Sequence, residues 1–251
     1  MASELIRERV ISLDVTVQSY ERALANIIGL GKQNTPSYAC FSNVHMIIEA
    51  QNSVEFQKMV NNANFVFADG MPLVFALRLL YGIRQERIAG MDVIPDLLEM
   101  CKSGHLSIFL FGSTQAVLDS FSHYIHTRFT GVRIAGVISP PFRTLTEKEN
   151  DLIIEQINSS GANLVFVGLG CPKQEKWMAQ NSPRIKSCLL GVGGGFEIYG
   201  GGIKRAPVWI QNVGLEWAFR LSQEPRRLFR RYASSNAKFI YFFTKQLLQP
   251  N

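Results

Sequence analysis

Leu164-Val165-Phe166-Val167-Gly168-Leu169-Gly170-Cys171-Pro172-Lys173-Gln174-Glu175-Lys176 decides the fold. Its first four residues form an unbroken apolar run, the pattern of a parallel strand covered on both faces; a half-exposed strand would alternate. The glycine-flanked turn and the side chains of Lys173, Gln174, Glu175 and Lys176 therefore fall at the carboxyl end of a strand, where open α/β sheets bind ligands. A dinucleotide fingerprint would need glycine at the sixth position of this turn, and Lys173 stands there, which argues against NAD.

Similar apolar runs recur at Tyr38–Phe41, Phe65–Phe67, Ser107–Phe111, Arg133–Val137 and Cys188–Val192. Between them, helical spacing predicts helices over Met46–Val60, Pro72–Leu80, Met91–Cys101, Thr114–Phe129 and Glu147–Asn158. Such alternation predicts an α/β fold with a doubly wound, mostly parallel sheet. Val10–Val15 predicts a small edge hairpin. Beyond Gly202 the pattern changes: a helical stretch from Trp209 to Leu221 stops at Gln223-Glu224-Pro225, and the proline suits the first turn of a second helix reaching Leu248. On a helical wheel Arg227, Arg231, Lys238 and Lys245 fall on one side, with Leu228, Tyr232, Phe239, Phe243 and Leu247 on a broader neighbouring one. The expected organisation is a core over residues 1–202 and a basic, amphipathic helical C-terminal appendage over residues 203–251.

With 251 residues, 47% of them hydrophobic, the chain can bury the core of one such domain. Glu4, Arg7, Glu8 and Arg9 interrupt the apolar stretch a secretory signal needs, and no segment reaches the roughly 18 apolar residues of a membrane span, so a cytoplasmic location is expected. Cys40, Cys101, Cys171 and Cys188 lack paired spacing and read as reduced thiols; His45, His105, His123 and His126 form no ligand set, and no metal site is expected. Residues 203–251 hold nine basic and two acidic side chains, a balance of +7 against +6 for the whole chain. Basicity concentrated in this way points to phosphates, in nucleic acid, an anionic membrane or a diphosphate substrate.

Asp69 follows a strand-like run and precedes Gly70, so its carboxylate is expected at the carboxyl edge of the sheet, either as a helix cap or as a catalytic group. Asn43 follows Tyr38–Phe41 in the same way. Arg87 could take part in a surface salt bridge or grip a diphosphate. Gly112-Ser113-Thr114 could present N–H groups to a phosphate or simply cap a helix. Gly191-Val192-Gly193-Gly194-Gly195-Phe196-Glu197 is a second glycine-rich strand end, where missing side chains let a ligand approach the backbone.

Four blocks, namely the opening turn, Phe67-Ala68-Asp69-Gly70-Met71-Pro72-Leu73-Val74, Gln85-Glu86-Arg87-Ile88-Ala89-Gly90 and the run from Gly191 to Tyr232, together resemble the WecG/TagA/CpsF glycosyltransferases (glycosyltransferase family 26). The likeness extends from about Val10 to Leu248. It implies a Rossmann-like core and inverting transfer of a hexose or N-acetylhexosamine, for example N-acetylmannosamine, from a UDP-sugar to a polyprenyl-diphosphate-linked saccharide. Such chemistry serves exopolysaccharide or teichoic acid assembly, without a metal or cofactor, at the inner face of the cytoplasmic membrane.

By the same resemblance, Asp69 is the base that takes the acceptor hydroxyl proton, Asn43 touches substrate beside it, and Arg87 binds diphosphate. Read from their own chemistry, Gly170 and Gly193 leave the strand ends open around a donor, Gly112 could offer its N–H to a phosphate, Lys173 could supply a point charge, Gln174 could read a uracil or sugar edge, and Glu175 and Glu197 could accept ribose or sugar hydroxyls. Arg220, Arg227 and Arg230 fold over the pocket and neutralise the UDP leaving group. Two departures stand out. The family's Thr-x-Asn is Phe41-Ser42-Asn43 here, leaving only the Ser42 hydroxyl to replace threonine, and Glu197 stands where aspartate is usual.

The partners expected are a UDP-sugar donor, a polyprenyl-diphosphate-linked acceptor and a membrane surface met by the C-terminal helix; nucleic acid is not expected. The apolar tail face could instead pack on a second copy as a homo-oligomer. The rival reading is a non-catalytic phosphate- or nucleic-acid-binding module using the basic tail, which carries no named nucleic-acid motif.

Overall fold

The computed structural model describes residues 5–212 and 214–249, and only the backbone of Val208, Asn212, Arg227, Arg230 and Arg231. In chain order the elements begin with β1 (Arg7–Val10), β2 (Leu13–Thr16), α1 (Tyr20–Lys32), β3 (Ser37–Ser42), α2 (Val44–Asn52), α3 (Val54–Asn61), β4 (Phe65–Ala68) and α4 (Met71–Tyr81). They continue with α5 (Gly90–Ser103), β5 (Ser107–Gly112), α6 (Gln115–Arg128), β6 (Arg133–Ile138), α7 (Glu147–Ser160), β7 (Leu164–Gly168), α8 (Lys173–Asn181), β8 (Cys188–Gly191) and α9 (Gly195–Tyr199). The chain closes with α10 (Val208–Asn212), α11 (Glu216–Gln223) and α12 (Pro225–Leu248).

The main sheet has six strands in the order β4-β3-β8-β7-β5-β6. Its β3–β8, β8–β7, β7–β5 and β5–β6 pairs are all parallel. Every apolar run singled out in the sequence is one of these strands, and the α/β fold is as expected. The N-terminal hairpin is not an edge of this sheet; β1 and β2 form a separate antiparallel ribbon pairing Arg7 with Thr16 and Val10 with Leu13.

Two compact units divide the chain. One comprises Glu21–Cys40 and Gly90–Ile203. Its strands β5, β7 and β8 are buried at every position. Helices bring Leu97, Leu98, Leu118, Phe121, Ile154, Ile157 and Met178 into this interior, which explains the unbroken apolar strands. Toward their carboxyl ends β5 and β7 nearly touch: a Cβ on Gly112, at φ 122°, would lie 2.5 Å from the carbonyl carbon of Gly168. Gly112 is thus required by packing, whatever else it does.

The other unit comprises Met1–Tyr20, Phe41–Ala89 and Lys204–Asn251. Here the expected helix over Met46–Val60 is two helices, because Ser53 breaks it and caps α3 by accepting the Phe56 N–H at 3.2 Å. The stretch from Trp209 to Leu221 is likewise divided by a turn at Gly214, whose φ is 77°. Helix α12 spans the predicted Pro225–Leu248 and packs on α2 and α4. Leu228 and Phe239 of α12 are buried, and the Gln246 amide bonds both to the Ile11 N–H (2.7 Å) and to the Arg9 carbonyl (2.8 Å). The apolar side read from the helical wheel is therefore partly spent inside the protein, while Phe229, Ile240 and Tyr241 are 63%, 64% and 64% exposed.

Candidate active site

In the unit that contains β4 and α12, the backbone brings Asn43 and Asp69 together. The Asp69 N–H donates to the Ser42 carbonyl at 2.9 Å, tying the residue just past β4 to the last residue of β3. On the far side the Ile88 N–H donates to the Ala68 carbonyl at 2.9 Å, which carries Arg87 to the same edge. Asn43 is the N-cap of α2: its Oδ1 accepts the Met46 N–H at 3.2 Å. That bond fixes the amide so that Nδ2 donates to Asp69 Oδ2 at 3.5 Å. Asp69 itself caps nothing, since the N-cap of α4 is Gly70, with no side-chain bond.

Burial pushes the Asp69 carboxyl up to about 6, and the negative charge of Glu216 adds to the effect; Arg87, the Asn43 hydrogen bond and Arg220 act in the opposite direction. A half-buried carboxylate with that proton affinity suits general-base chemistry near neutral pH. Arg87 donates from Nη1 to Glu216 Oε2 at 2.8 Å and from Nη2 to Gln211 Oε1 at 3.0 Å. Arg205 reaches the same Gln211 oxygen at 3.3 Å. Arg220 is half-buried, and its Nε is buried with no hydrogen-bond partner among the described residues. The side chains of Arg227 and Arg230 lie outside the described residues.

The second unit carries the opening motif. Lys173, at the start of α8, is exposed. Gln174 and Glu175 are buried, which differs from their reading as groups offered to a base edge and a ribose. Helix α8 begins at Lys173, so these two residues turn inward on its first turn. Gln174 Oε1 accepts the Gly170 N–H at 3.2 Å, and its Nε2 donates to the Gly191 carbonyl at 2.9 Å and to Glu175 Oε1 at 2.7 Å. The amide thus ties the turn at Gly170 (φ 79°) to the end of β8. Desolvation pushes the Glu175 carboxyl up to about 7, against hydrogen bonds from Gln174, its own backbone and Cys171.

Gly193 (φ 49°) stands beside the Gln174 amide. Glu197 Oε1 accepts from Ser113 Oγ at 3.2 Å, and its Oε2 is buried without a partner among the described residues. The Ser113 N–H is taken by the Gly168 carbonyl at 3.0 Å and Thr114 caps α6, so the Gly112-Ser113-Thr114 turn serves local structure. Ser42 is fully buried with its hydroxyl unpartnered among the described residues, so it is enclosed and not presented beside Asn43.

Sequence reasoning missed Glu216 and Gln211. Their signal was faint: Glu216 is one of two acids in a strongly basic segment. Among the described residues no group of three or more His, Cys, Asp or Glu side chains could hold a metal ion.

A sequence model described as the glycosyl transferase WecG/TagA/CpsF family matches residues 8–251. The chain is similar to the N-acetylglucosaminyldiphosphoundecaprenol N-acetyl-β-D-mannosaminyltransferase of Bacillus subtilis (strain 168), with 31% identity over 186 residues, 74% of this chain and 71% of that protein. The enzyme of the same description from Staphylococcus aureus (strain MW2) is 26% identical over 190 residues, 75% of this chain and 73% of the relative.

Proposed function

The chain belongs to the WecG/TagA/CpsF family of glycosyl transferases, and from that premise we propose that it transfers N-acetylmannosamine or a related hexose or N-acetylhexosamine from a UDP-sugar to a polyprenyl-diphosphate-linked saccharide. Membership of a transferase family sets aside the non-catalytic, nucleic-acid-binding alternative.

The observation that carries the chemistry is the Asp69 carboxylate, held by Asn43 and pushed up to about 6 by burial, with Arg87 and Arg220 acting on it. Asp69 takes the proton of the acceptor hydroxyl as that oxygen attacks C1 of the donor sugar. The C1–O bond to UDP breaks on the opposite face, inverting the anomeric centre, and the electron pair leaves on the β-phosphate. Arg87 and Arg220, joined by Arg227 and Arg230, neutralise that charge, a role in which fixed cations favour the transition state over the ground state. Within the other unit, the exposed Lys173 and the half-buried Glu197 are the candidates for nucleotide-sugar contact. Gln174, bonded to Glu175, holds the Gly170 turn to the end of β8 beside Gly193, and Gly112 serves the close packing of β5 on β7.

An acceptor of this kind is anchored in a bilayer. Among the described residues no helix is long and apolar enough to cross one. Residues 203–251 serve as the appendage that meets the inner face of the cytoplasmic membrane, where the exposed Tyr241 lies on the side of α12 that carries the exposed Lys238 and Lys245, and the exposed Phe229 and Ile240 offer further apolar area.

Asp69→Asn tests the assignment. Affinity for UDP should stay within a few-fold by calorimetry while turnover drops by about 10²–10⁴. A variant that turns over at the wild-type rate would remove Asp69 from the mechanism.

A further inference from the structure

A base and a diphosphate site make opposing demands when they share one neighbourhood. The guanidinium that grips the diphosphate also stabilises the ionised form of a nearby carboxylate, and an opposite charge within about 4–6 Å lowers a carboxylate's proton affinity by about 1–3 pH units. Two arginines exert this pull on Asp69, Arg87 ahead of α5 and Arg220 on α11. Among the described residues the one acid acting on it is Glu216, in the first turn of α11.

We propose that Glu216 is a positioning residue for the reaction: paired with Arg87, it fixes that guanidinium in place for a diphosphate and cancels the guanidinium's pull on the Asp69 carboxylate. The inference rests on reading Asp69 as the base and adds to it a residue that never touches substrate.

The pair is built for this. Arg87 Nη1 and Glu216 Oε2 are 2.8 Å apart, with only 16% and 17% of their side chains exposed, so solvent screens them less than a surface pair. A second hold comes from Gln211. Its Nε2 is committed to the Ala206 carbonyl at 2.6 Å, which turns Oε1 toward both Arg87 Nη2 and Arg205 Nη2. Two different acceptors thus fix Arg87 through two different nitrogens, and the guanidinium plane is defined. Glu216 also stands at the N-terminal turn of α11, where a carboxylate is favoured, and Arg220 follows four residues later on the same face. The charged and titratable groups concerned are therefore Asp69, Arg87, Arg205, Glu216 and Arg220, with Asn43 the neutral donor.

The full-length protein, labelled with ¹³C-aspartate and with the Asp69 carboxyl signal assigned through Asp69→Asn, reads this directly. In Glu216→Gln the Asp69 titration midpoint should fall by about one pH unit. Arg87→Gln should move it upward, the double variant should return it close to the wild-type value, and Glu216→Asp, which keeps the charge, should leave it there. The acid limb of kcat/KM should follow the same order. An Asp69 midpoint unmoved in Glu216→Gln, or shifted equally in Glu216→Asp, would overturn the proposal. Should Glu216→Gln not fold, the upward shift in Arg87→Gln decides alone, and its absence refutes the charge balance. A wild-type protein that moves no sugar from any UDP-sugar to a lipid-diphosphate acceptor would defeat the functional reading while leaving the titration pattern readable.

Discussion

Asn43 caps helix α2 with one end of its amide and holds Asp69 with the other: Oδ1 accepts the Met46 N–H at 3.2 Å, and Nδ2 donates to Asp69 Oδ2 at 3.5 Å. Structure and chemistry can be separated at this residue because aspartate caps a helix as well as asparagine does. Asn43→Asp should therefore keep the melting temperature within about 4 °C of wild type. It replaces the donor with a second negative charge, however, which pushes the proton affinity of Asp69 further up and should cut turnover at pH 7 roughly tenfold. Recovery at higher pH would mark the loss as one of ionisation. A variant with wild-type turnover at pH 7 would detach Asn43 from the base.

Glu175 offers a test of stability against pH. Its carboxyl is pushed up to about 7 from an ordinary 4.5. A raised value means that the folded state holds the proton more tightly than the unfolded chain, so this residue's contribution is fully present below about 4.5 and is lost as pH rises through 7. Glu175→Gln cannot ionise. It should be more stable than wild type at pH 8, by up to about 3 kcal/mol, less whatever its second amide group costs unpartnered. At pH 4.5 the difference should vanish. Urea unfolding at the two pH values checks it, and an equal difference at both would show that charge burial is not the cause.

The strands could be read from the sequence because β5, β7 and β8 are covered on both faces, which leaves contiguous apolar residues that no amphipathic helix would produce. Asp69 and Asn43 could be placed for the same reason, each following such a run directly. Where the reading fell short, the deciding contact was either very local or very distant. Ser53 splits α2 from α3 through one capping bond that a helical wheel does not register. Gln174 and Glu175 look like pocket residues until the start of α8 at Lys173 turns them inward. The partner of Arg87 lies 129 residues away, and nothing in the composition around Glu216 announces that pairing.

Two glycines in positive-φ turns should respond differently to alanine. At Gly112 a Cβ would sit 2.5 Å from the Gly168 carbonyl carbon and 2.6 Å from its oxygen, both backbone atoms that cannot rotate away. Gly112→Ala should cost at least about 3 kcal/mol, from strain and overlap together. Gly170 has φ 79° but nothing within 4 Å of the position its Cβ would take, so Gly170→Ala should cost only about 1–2 kcal/mol, the price of the left-handed conformation. Denaturant midpoints of the two variants give the comparison. If Gly170→Ala proved the more damaging, the close approach of β5 and β7 could not be what requires Gly112.

Helix α12 carries two kinds of apolar residue, and they should separate folding from membrane association. Leu228 is fully buried, in a helix that packs on α2 and α4, so Leu228→Ala should cost about 2–5 kcal/mol. Phe229, Ile240 and Tyr241 are largely exposed, and replacing all three with serine should leave the melting temperature within a few degrees. Each of those side chains loses apolar area that a bilayer interface would otherwise cover, so the triple variant should bind vesicles containing anionic lipid at least about tenfold more weakly. Lys238 and Lys245, on the side of α12 that Tyr241 shares, add an electrostatic part of about 1 kcal/mol each, which should fade as salt rises from 0.1 M toward 1 M, on the scale set by screening. Undiminished sedimentation of the triple variant with such vesicles would show that the exposed apolar residues of α12 are not the membrane contact.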